Sequence, residues 1–215
     1  MKTKLLIPIF LFFFLATSIS AQDYAAAVKV SSLGFSGEVI RSFGEQFNVR
    51  AGFAFFSISL DGGGGTEDYT YTADAKLSSF SALVDYFPFG GIFRISGGAL
   101  VNLNNATTIL TPTKTYTIGN DEYTPEKLGN LDAKIDFDPV APYIGIGWGN
   151  PTAGVSGLSV TFDIGTMYQG APSVDLTAKG LLEPSASQDQ EDLITSNLDW
   201  FKWYPIISLG LNYKF

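Results

Sequence analysis

Apolar residues occupy every second position at the C-terminal end of the chain. The odd positions from Phe201 to Phe215 are all apolar, whereas the even positions are small or polar apart from Tyr204 and Ile206. A period of two places successive side chains on opposite faces of a β-strand. The pattern therefore predicts a strand with one apolar face along its whole length, and this strand ends on an aromatic residue.

The same alternation recurs along the chain and predicts eight strands. They are Tyr24–Ser31, Phe35–Phe43, Phe47–Leu60, Tyr69–Phe87, Ile92–Asn104, Asp132–Trp148, Leu158–Ala178 and Phe201–Phe215. Short turns at 44–46, 88–91 and 149–157 alternate with longer loops at 61–68, 105–131 and 179–197. Barrels of the outer membrane keep short turns on the periplasmic side and long loops outside. Only the tight bend at Leu33 departs from that order.

The alternation changes parity inside two of the predicted strands. In the fourth strand the apolar set runs as far as Leu77 and then shifts by one position at Ser78-Ser79. In the sixth strand, Ile135 and Phe137 precede a similar shift at Asp138-Pro139. A β-bulge at each shift would keep all of these apolar side chains on one outward face.

Side-chain size distinguishes a membrane barrel from a soluble one. The apolar face carries many Phe, Tyr, Trp, Ile and Leu residues, whereas the other face is rich in Gly, Ser and Ala. A soluble eight-stranded barrel would have to hold the bulky set inside, where there is room only for smaller side chains. The predicted fold class is therefore all-β, an eight-stranded antiparallel up-and-down transmembrane β-barrel. Aromatic residues near strand ends would form its interfacial girdles.

The first 21 residues predict a cleaved secretory signal peptide, which leaves residues 22–215 as the barrel. Lys2 and Lys4 precede an apolar run from Leu5 to Leu15, and small or polar residues lead to Ala21. A membrane anchor is the alternative, but the run is about half of the roughly 20 residues that a spanning helix needs. Export together with a barrel predicts location in the outer membrane of a Gram-negative bacterium.

Composition removes several classes of function. The chain has no cysteine and no histidine, and its formal charge is −8. A disulfide framework and a thiolate site are excluded, and the usual general base is missing. The acidic balance argues against nucleic acid as a partner. The glycine run 62–65 lacks the Lys-Ser/Thr of a phosphate-binding loop. The sequence therefore predicts neither an enzyme nor a cofactor.

The inward face carries charged residues of both signs in similar number. Polar residues such as Asn104 and Gln169 also fall on this face. Charges inside a narrow barrel must be paired or hydrated. They could form an ion-pair network that fills the barrel, or line a path for a small charged solute. The candidate lumen-lining residues are Lys29, Glu38, Arg50, Asp74, Lys76, Asp85, Arg94, Lys134, Asp136, Asp163 and Lys202.

Acidic residues also cluster toward the expected outer mouth. An inward row at period two would include Asp132, Lys134, Asp136 and Asp138. The last long connection adds Glu183, Asp189, Glu191, Asp192 and Asp199. An acidic mouth would concentrate cations or basic solutes, and carboxylates are suitable ligands for Ca²⁺. Charged loops that are merely solvated are the alternative.

Three segments resemble one known family. They are Val140–Gly149 (VAPYIGIGWG), Tyr168–Thr177 (YQGAPSVDLT) and Trp203–Leu211 (WYPIISLGL). Together they resemble the ornithine-uptake-porin, or CarO, type of small outer-membrane barrel. The resemblance implies an eight-stranded barrel associated with uptake of basic and small amino acids. It covers the C-terminal part of the chain and carries over no substrate residue.

The sequence leads to one main hypothesis of function and two alternatives. The first is a narrow porin-like channel for small polar or charged solutes such as amino acids. The second is a closed structural or binding barrel that acts through its extracellular loops. A passage for hydrophobic compounds, as in barrels of the OmpW type, is a third and would need an apolar lumen. We expect a monomer whose partners are outer-membrane lipid, the barrel-assembly machinery and a small solute. The assembly signal is predicted at Leu211, Tyr213 and Phe215.

Overall fold

The structure is a computed structural model, and it describes residues 23–64, 68–118 and 121–215. The predicted signal peptide lies outside the described residues. Within these ranges no helix is long and apolar enough to cross a membrane.

Eight strands form a closed antiparallel ring. In ring order they are β1 (Tyr24–Ser31), β2 (Gly34–Phe43), β3 (Phe47–Gly63), β4 (Tyr69–Tyr86), β5 (Phe93–Asn102), β10 (Val140–Trp148), β11 (Gly157–Tyr168) and β13 (Trp203–Lys214). The ring closes between its first and last strands, from Ala25 opposite Lys214 to Ser31 opposite Ser208. Closure leaves no unpaired strand edge, which a sheet in lipid requires. The predicted eight-stranded up-and-down barrel is confirmed.

Half of the barrel extends beyond this ring at the end opposite the chain termini. Three further strands continue β5, β10 and β11: β6 (Asn105–Pro112), β9 (Leu131–Asp136) and β12 (Ser173–Ala178). They pair in the order β4-β6-β9-β12. Between them lie a small hairpin, β7 (Tyr116–Ile118) with β8 (Asp121–Tyr123), and the one-turn helix α1 (Pro125–Leu128). The last connection contains a 3₁₀ helix (Gly180–Ser185), helix α2 (Gln188–Asn197) and a second 3₁₀ helix (Asp199–Lys202).

The ring presents an apolar surface to its surroundings. Along β13, the odd-numbered residues from Trp203 to Tyr213 are exposed, whereas Ile206, Ser208 and Asn212 are buried inside. Aromatic contacts mark both rims of this surface. Tyr168 and Trp203 meet at 5.0 Å between ring centroids near the extended end, and Phe47 stacks on Tyr86 at 5.1 Å near the opposite end. An apolar band between two aromatic rims matches the hydrocarbon layer and its interfaces.

Neither predicted bulge is present. The pairing of β3 with β4 keeps one register from Phe47 opposite Tyr86 to Gly63 opposite Thr70. The register of β5 and β6 against β10 and β9 is equally continuous across Asp138-Pro139. Leu77, Ile135 and Phe137 therefore face the inside of the barrel, not the outside. Parity changes in the sequence because the two faces exchange character where the strands leave the membrane: lipid is replaced by water outside, and apolar residues fill the inside.

A parity change occurs instead between β11 and β12, where the alternation predicts a single continuous strand. Asp163 and Met167 face inward on β11, whereas Val174 and Leu176 are buried on β12. Gly170 adopts a positive φ of 72° and Pro172 follows it. A left-handed glycine and a proline interrupt a regular strand.

Two of the predicted loops also contain regular structure. The first eight residues of the loop 105–131 form strand β6, whose sequence NATTILTP is rich in β-branched residues that favour strands. The loop 179–197 contains α2, whose first turn carries Asp189 and Glu191, which suit the N-terminal end of a helix. The final strand begins at Trp203, because its pairing with β11 ends there opposite Tyr168. Phe201 and Lys202 therefore lie in the preceding 3₁₀ helix.

Candidate functional site in the barrel interior

Six of the eleven candidate lumen residues meet at one level of the barrel. They come from six of the eight ring strands, they form one ion-pair network, and their side chains are at most 9% exposed. The network consists of Lys29 (β1), Glu38 (β2), Arg50 (β3), Asp85 (β4), Arg94 (β5) and Asp163 (β11).

Asp163 lies against all three cations of the network. Its carboxylate oxygens are 2.5 Å from Arg94 Nη2, 3.1 Å from Lys29 Nζ and 3.7 Å from Arg50 Nη2. Arg50 and Lys29 reach further carboxylates on the neighbouring strands. Arg50 Nε lies 2.9 Å from Asp85 Oδ2, and Lys29 Nζ lies 2.7 Å from Glu38 Oε2. Each carboxylate thus touches at least two cations.

The network is electrically neutral, with three cations and three carboxylates. Hydroxyl groups satisfy more of its oxygens: Ser96 Oγ donates to Asp85 at 2.6 Å, and Ser208 Oγ donates to Asp163 at 3.2 Å. A buried charge is costly unless it is paired and hydrogen-bonded. All six charges here are paired, although Asp85 Oδ2 and Arg94 Nε have no hydrogen-bond partner within the described residues. The pairing joins strands that are not adjacent in the sheet.

Glycines on the inward face make room for these side chains. A Cβ on Gly147 would lie 2.6 Å from Asp163 Oδ1 and 2.8 Å from Arg94 Cζ. A Cβ on Gly210 would lie 2.9 Å from Cγ of Lys29. Real Cβ atoms do not make contacts this short, so a side chain at either position would displace the neighbouring charged side chains. The inward glycines of the VAPYIGIGWG segment thus have a packing role.

The interior is also filled on both sides of the network. Toward the chain termini, the turn after β10 folds inward, and Thr152 Oγ1 donates to Asn48 Oδ1 at 3.0 Å. On the other side lies an apolar layer made of Leu33, Ala54, Leu83, Leu100, Ala141, Tyr143, Met167 and Ile206. The cavity left between this layer and the network is about 50 Å³, room for a few water molecules.

A second and larger cavity lies in the extended part of the barrel. Its volume is about 250 Å³, and we call it the outer cavity. Leu198 and Phe201 of the last connection cover it, and Phe201 packs edge-on against Phe137 at 5.8 Å. Its lining residues are Ala75, Leu77, Asn104, Asn105, Ala106, Ile135, Phe137, Gln169, Pro172, Leu198, Phe201 and Tyr204. The lining is thus mostly apolar and carries no charged side chain.

The other five candidate residues lie outside the ion-pair network. Asp74 and Lys76 lie on the outer face of β4, where Asp74 accepts a hydrogen bond from the Ser59 hydroxyl. Lys134 and Asp136 lie on the outer face of β9 and pair with each other at 2.6 Å. The hydrogen bond from Lys134 to Asp136 raises the pKa of the lysine above its ordinary value. The inward placement expected for these four residues is wrong, because it assumes bulges that are absent.

Lys202 does not point into the barrel from a strand. It lies in the 3₁₀ helix before β13, where its ammonium is 2.7 Å from Asp199. This hydrogen bond raises the pKa of Lys202. Phe201, expected on the lipid face, instead lines the outer cavity.

The acidic residues do not form the expected inward row. Asp132 lies on the same outer face as Lys134 and Asp136. Among the acids of the last connection, Glu191 has a defined role, because its Oε1 accepts the backbone N–H of Leu176 at 2.8 Å at the edge of β12. Within the described residues, no group of three or more His, Cys, Asp or Glu side chains is arranged to hold a metal ion.

The three residues of the predicted assembly signal lie on the outward face at the end of β13. Leu211, Tyr213 and Phe215 are all exposed, and Tyr213 contacts Phe215 edge-on at 5.5 Å. The backbone N–H of Phe215 donates to the carbonyl of Tyr24, so that the chain end is held against β1. Their role in assembly stays a prediction.

No family model matches the chain, and no curated protein matches it either. Similar solved structures do exist. The crystal structure of Acinetobacter baumannii CarO is 19% identical, has a TM-score of 0.57, and aligns over 89% of this chain and 97% of its own. CarO2 of the same organism is 18% identical with the same TM-score, over 89% of this chain and 98% of its own. The fold of this chain is that of a CarO-type outer-membrane β-barrel.

A third similar structure is a major outer membrane protein of Thermus thermophilus, which is 15% identical with a TM-score of 0.44. It aligns over 89% of this chain and 99% of its own. The CarO-type fold agrees with the family that the three C-terminal segments resemble. The closed ring and its outward apolar band place the protein in the bacterial outer membrane.

Several residues of the interior are not among the sequence candidates. The alternation assigns Leu77, Ile135 and Phe137 to the outward face, so it does not predict the outer cavity that they line. The sequence does contain a signal for this cavity. Asn104 and Gln169, which the alternation assigns inward, lie beside apolar residues where the parity of the strands changes.

Proposed function

We propose that this protein is a closed outer-membrane barrel that does not conduct solutes through its membrane-spanning part and acts as a binding barrel at its extracellular end. The ion-pair network is the observation that supports this proposal. Six charged side chains from six strands occupy the interior at one level and pair with one another. A role of this kind involves no catalytic step.

The rival hypothesis is the narrow channel for small polar solutes such as amino acids. Passage would require Arg50 and Arg94 to separate from Asp85 and Asp163, between which the distances are 2.5–3.7 Å. Separation would leave charges unpaired in a space that holds only a few waters. The filled interior thus favours the closed barrel over the channel.

Swelling of proteoliposomes that contain an impermeant polymer and are diluted into isosmotic glycine, lysine or arginine distinguishes the closed barrel from the channel. We expect the wild-type protein to swell no faster than protein-free liposomes. The double variant Arg50→Ser/Asp85→Ser removes one charge of each sign and widens the interior, so we expect it to admit glycine. Swelling of the wild type in any of these amino acids would contradict the closed barrel and support the channel.

A further inference from the structure

The outer cavity exposes almost no polar surface to a molecule inside it. Its amide side chains are engaged elsewhere: Asn104 Oδ1 accepts the backbone N–H of Ser78 at 2.8 Å, and Gln169 Nε2 donates to the carbonyl of Phe201 at 3.0 Å. The other amide atoms, Asn104 Nδ2 and Gln169 Oε1, are buried. The hydroxyl of Tyr204 donates to the carbonyl of Ser32 at 2.7 Å. The surface that remains is apolar, so the cavity offers a ligand contact but no hydrogen bond.

An apolar space of this size suits neither water nor a void. A buried water needs two to four polar partners, and an empty space deprives the atoms around it of dispersion contacts. An engineered apolar cavity of about 150 Å³ in another protein stays dry and takes up benzene. The outer cavity, at about 250 Å³, is larger. It therefore has room for one aromatic ring with a short alkyl chain.

An exposed apolar track runs along the inner face of β3 beside the cavity. It consists of Phe56, Ile58 and Leu60, which are 39–55% exposed, and we call it the β3 track. In the register with β4, Phe56 lies opposite Leu77 and Ile58 lies opposite Ala75, and both of these partners line the outer cavity. A continuous exposed apolar surface of this kind is typical of a binding site.

The β3 track begins where β3 leaves the membrane. Phe55 is the last apolar residue on the outward face of this strand, and Ser57 and Ser59 follow it on that face. The pairing of β2 with β3 also ends at Phe55, opposite Phe35. Within the described residues, no strand pairs with β3 on this side beyond that point. An apolar molecule dissolved in the membrane thus has access to the outer cavity without crossing the ion-pair network.

We propose that the outer cavity binds one small apolar molecule, an aromatic ring with at most a short alkyl chain. Burial of apolar surface against the wall supplies the binding free energy, and no hydrogen bond is involved. An ion would lose its hydration without gaining a counter-ion. The proposal rests on the closed binding barrel of the preceding section and names its ligand class.

Methyl NMR of the barrel in lipid nanodiscs, with toluene as the probe, tests this proposal. The δ1 methyl group of Ile135 reports from the cavity wall, whereas that of Ile144, on the outward face of β10, reports on toluene dissolved in the surrounding lipid. We expect the Ile135 signal to change saturably with toluene concentration, and the Ile144 signal to change only in proportion to the amount added.

Phenol is the matched control ligand. It has about the same shape as toluene but carries a hydroxyl group, which would lose its hydration and find no partner in the cavity. We therefore expect phenol to bind at least about tenfold more weakly than toluene. This comparison is made on the wild-type protein, so it decides the ligand class independently of how any variant folds.

Two variants locate the binding. Ala106→Trp fills the cavity, whereas Thr107→Trp places the same ring on the opposite face of β6. Heat-modifiable mobility on gels shows whether each variant is folded. We expect folded Ala106→Trp to lose the saturable change at Ile135 and Thr107→Trp to retain it.

A response of Ile135 that is proportional to toluene, like that of Ile144, would overturn the proposal. Equal affinity for phenol and toluene, or saturable binding in folded Ala106→Trp, would overturn it too. A nuclear Overhauser contact from Ile135 to lipid acyl chains without toluene would mean that lipid fills the cavity, and it would also overturn the proposal. The same preparations are examined for amino-acid flux. Flux contradicts the closed barrel, whereas absence of both flux and saturable binding contradicts only the ligand proposed here.

Discussion

Asp163 of β11 and Arg94 of β5 form a 2.5 Å ion pair although a whole strand lies between them. The intervening strand β10 places Gly147 opposite both residues in the register. The absence of a side chain at Gly147 lets the guanidinium and the carboxylate meet. A contact that crosses a strand in this way ties three strands together.

Gly147→Val should therefore destabilise the barrel. The new side chain would occupy the space of the Arg94–Asp163 pair, and overpacking of this kind costs about 1–3 kcal/mol. Urea unfolding in lipid vesicles, followed by tryptophan fluorescence, measures the change in the free energy of unfolding. Gly37→Ala is the matched control, because a Cβ at that position of β2 meets no atom within 4 Å. Equal stability of Gly147→Val and the wild type would contradict the close approach described here.

Asp163→Asn should be the most damaging single neutralisation of a carboxylate in the network. It leaves the positive charges of Lys29, Arg50 and Arg94 with one partner fewer, and breaking a buried pair costs about 3–5 kcal/mol. Asp85→Asn, which affects two of the cations, should cost less. Adding Lys29→Met to Asp163→Asn restores neutrality and should recover part of the loss. A double variant that is less stable than the sum of both single variants would argue against the network.

Cysteine labelling tests which face of β9 is inside. The chain contains no cysteine, so single substitutions report without background. Lys134→Cys should react with a membrane-impermeant maleimide on whole cells, because Lys134 lies on the water-exposed outer face. Ile135→Cys should react about tenfold more slowly, because its side chain lines the outer cavity. Faster reaction of Ile135→Cys than of Lys134→Cys would show that Ile135 faces outward. That result would support the bulge at Asp138-Pro139 that the alternation predicts.

Removal of the aromatic side chain of Phe215 should slow assembly of the barrel. Phe215→Ala removes the aromatic end of β13, which we propose is read by the barrel-assembly machinery, but it leaves the backbone bond to Tyr24 possible. Heat-modifiable mobility on gels, measured against time after induction, reports the folded fraction in the membrane. Phe89→Ala, at an 82% exposed position in a turn at the same end, is the control. Identical time courses for the two variants would remove Phe215 from the assembly signal.

The eight-stranded ring can be predicted because most of each strand lies in lipid. Along that length the apolar side chains of the alternation face outward and the polar ones face inward. Val160 and Phe162 have to face outward and Asp163 inward wherever the outside is apolar. The six members of the ion-pair network are identifiable for that reason. Their pairing cannot be read from the sequence, because it depends on contacts across β10 that pass over the position of Gly147.

The extended part of the barrel is predicted less well for a physical reason. Outside the membrane, apolar side chains face the interior of the barrel and charged side chains face water. The apolar residues of the alternation therefore lie on the inward face there, whereas in lipid they lie on the outward face. The alternation assigns Lys76 and Lys134 inward and Leu77 and Ile135 outward, because a change of environment produces the same parity shift as a bulge. The interruption that does exist, at Gly170 and Pro172, is identifiable from those two residues.

Single-channel recording in planar lipid bilayers tests the closed interior most directly. We expect no unitary current steps from the wild-type protein at any holding potential. We expect steps from the neutral double variant Arg50→Ser/Asp85→Ser, in which the network loses its pair at 2.9 Å. Reproducible unitary steps from the wild type, equal in size to those of the double variant, would contradict the claim that the ion-pair network closes the barrel.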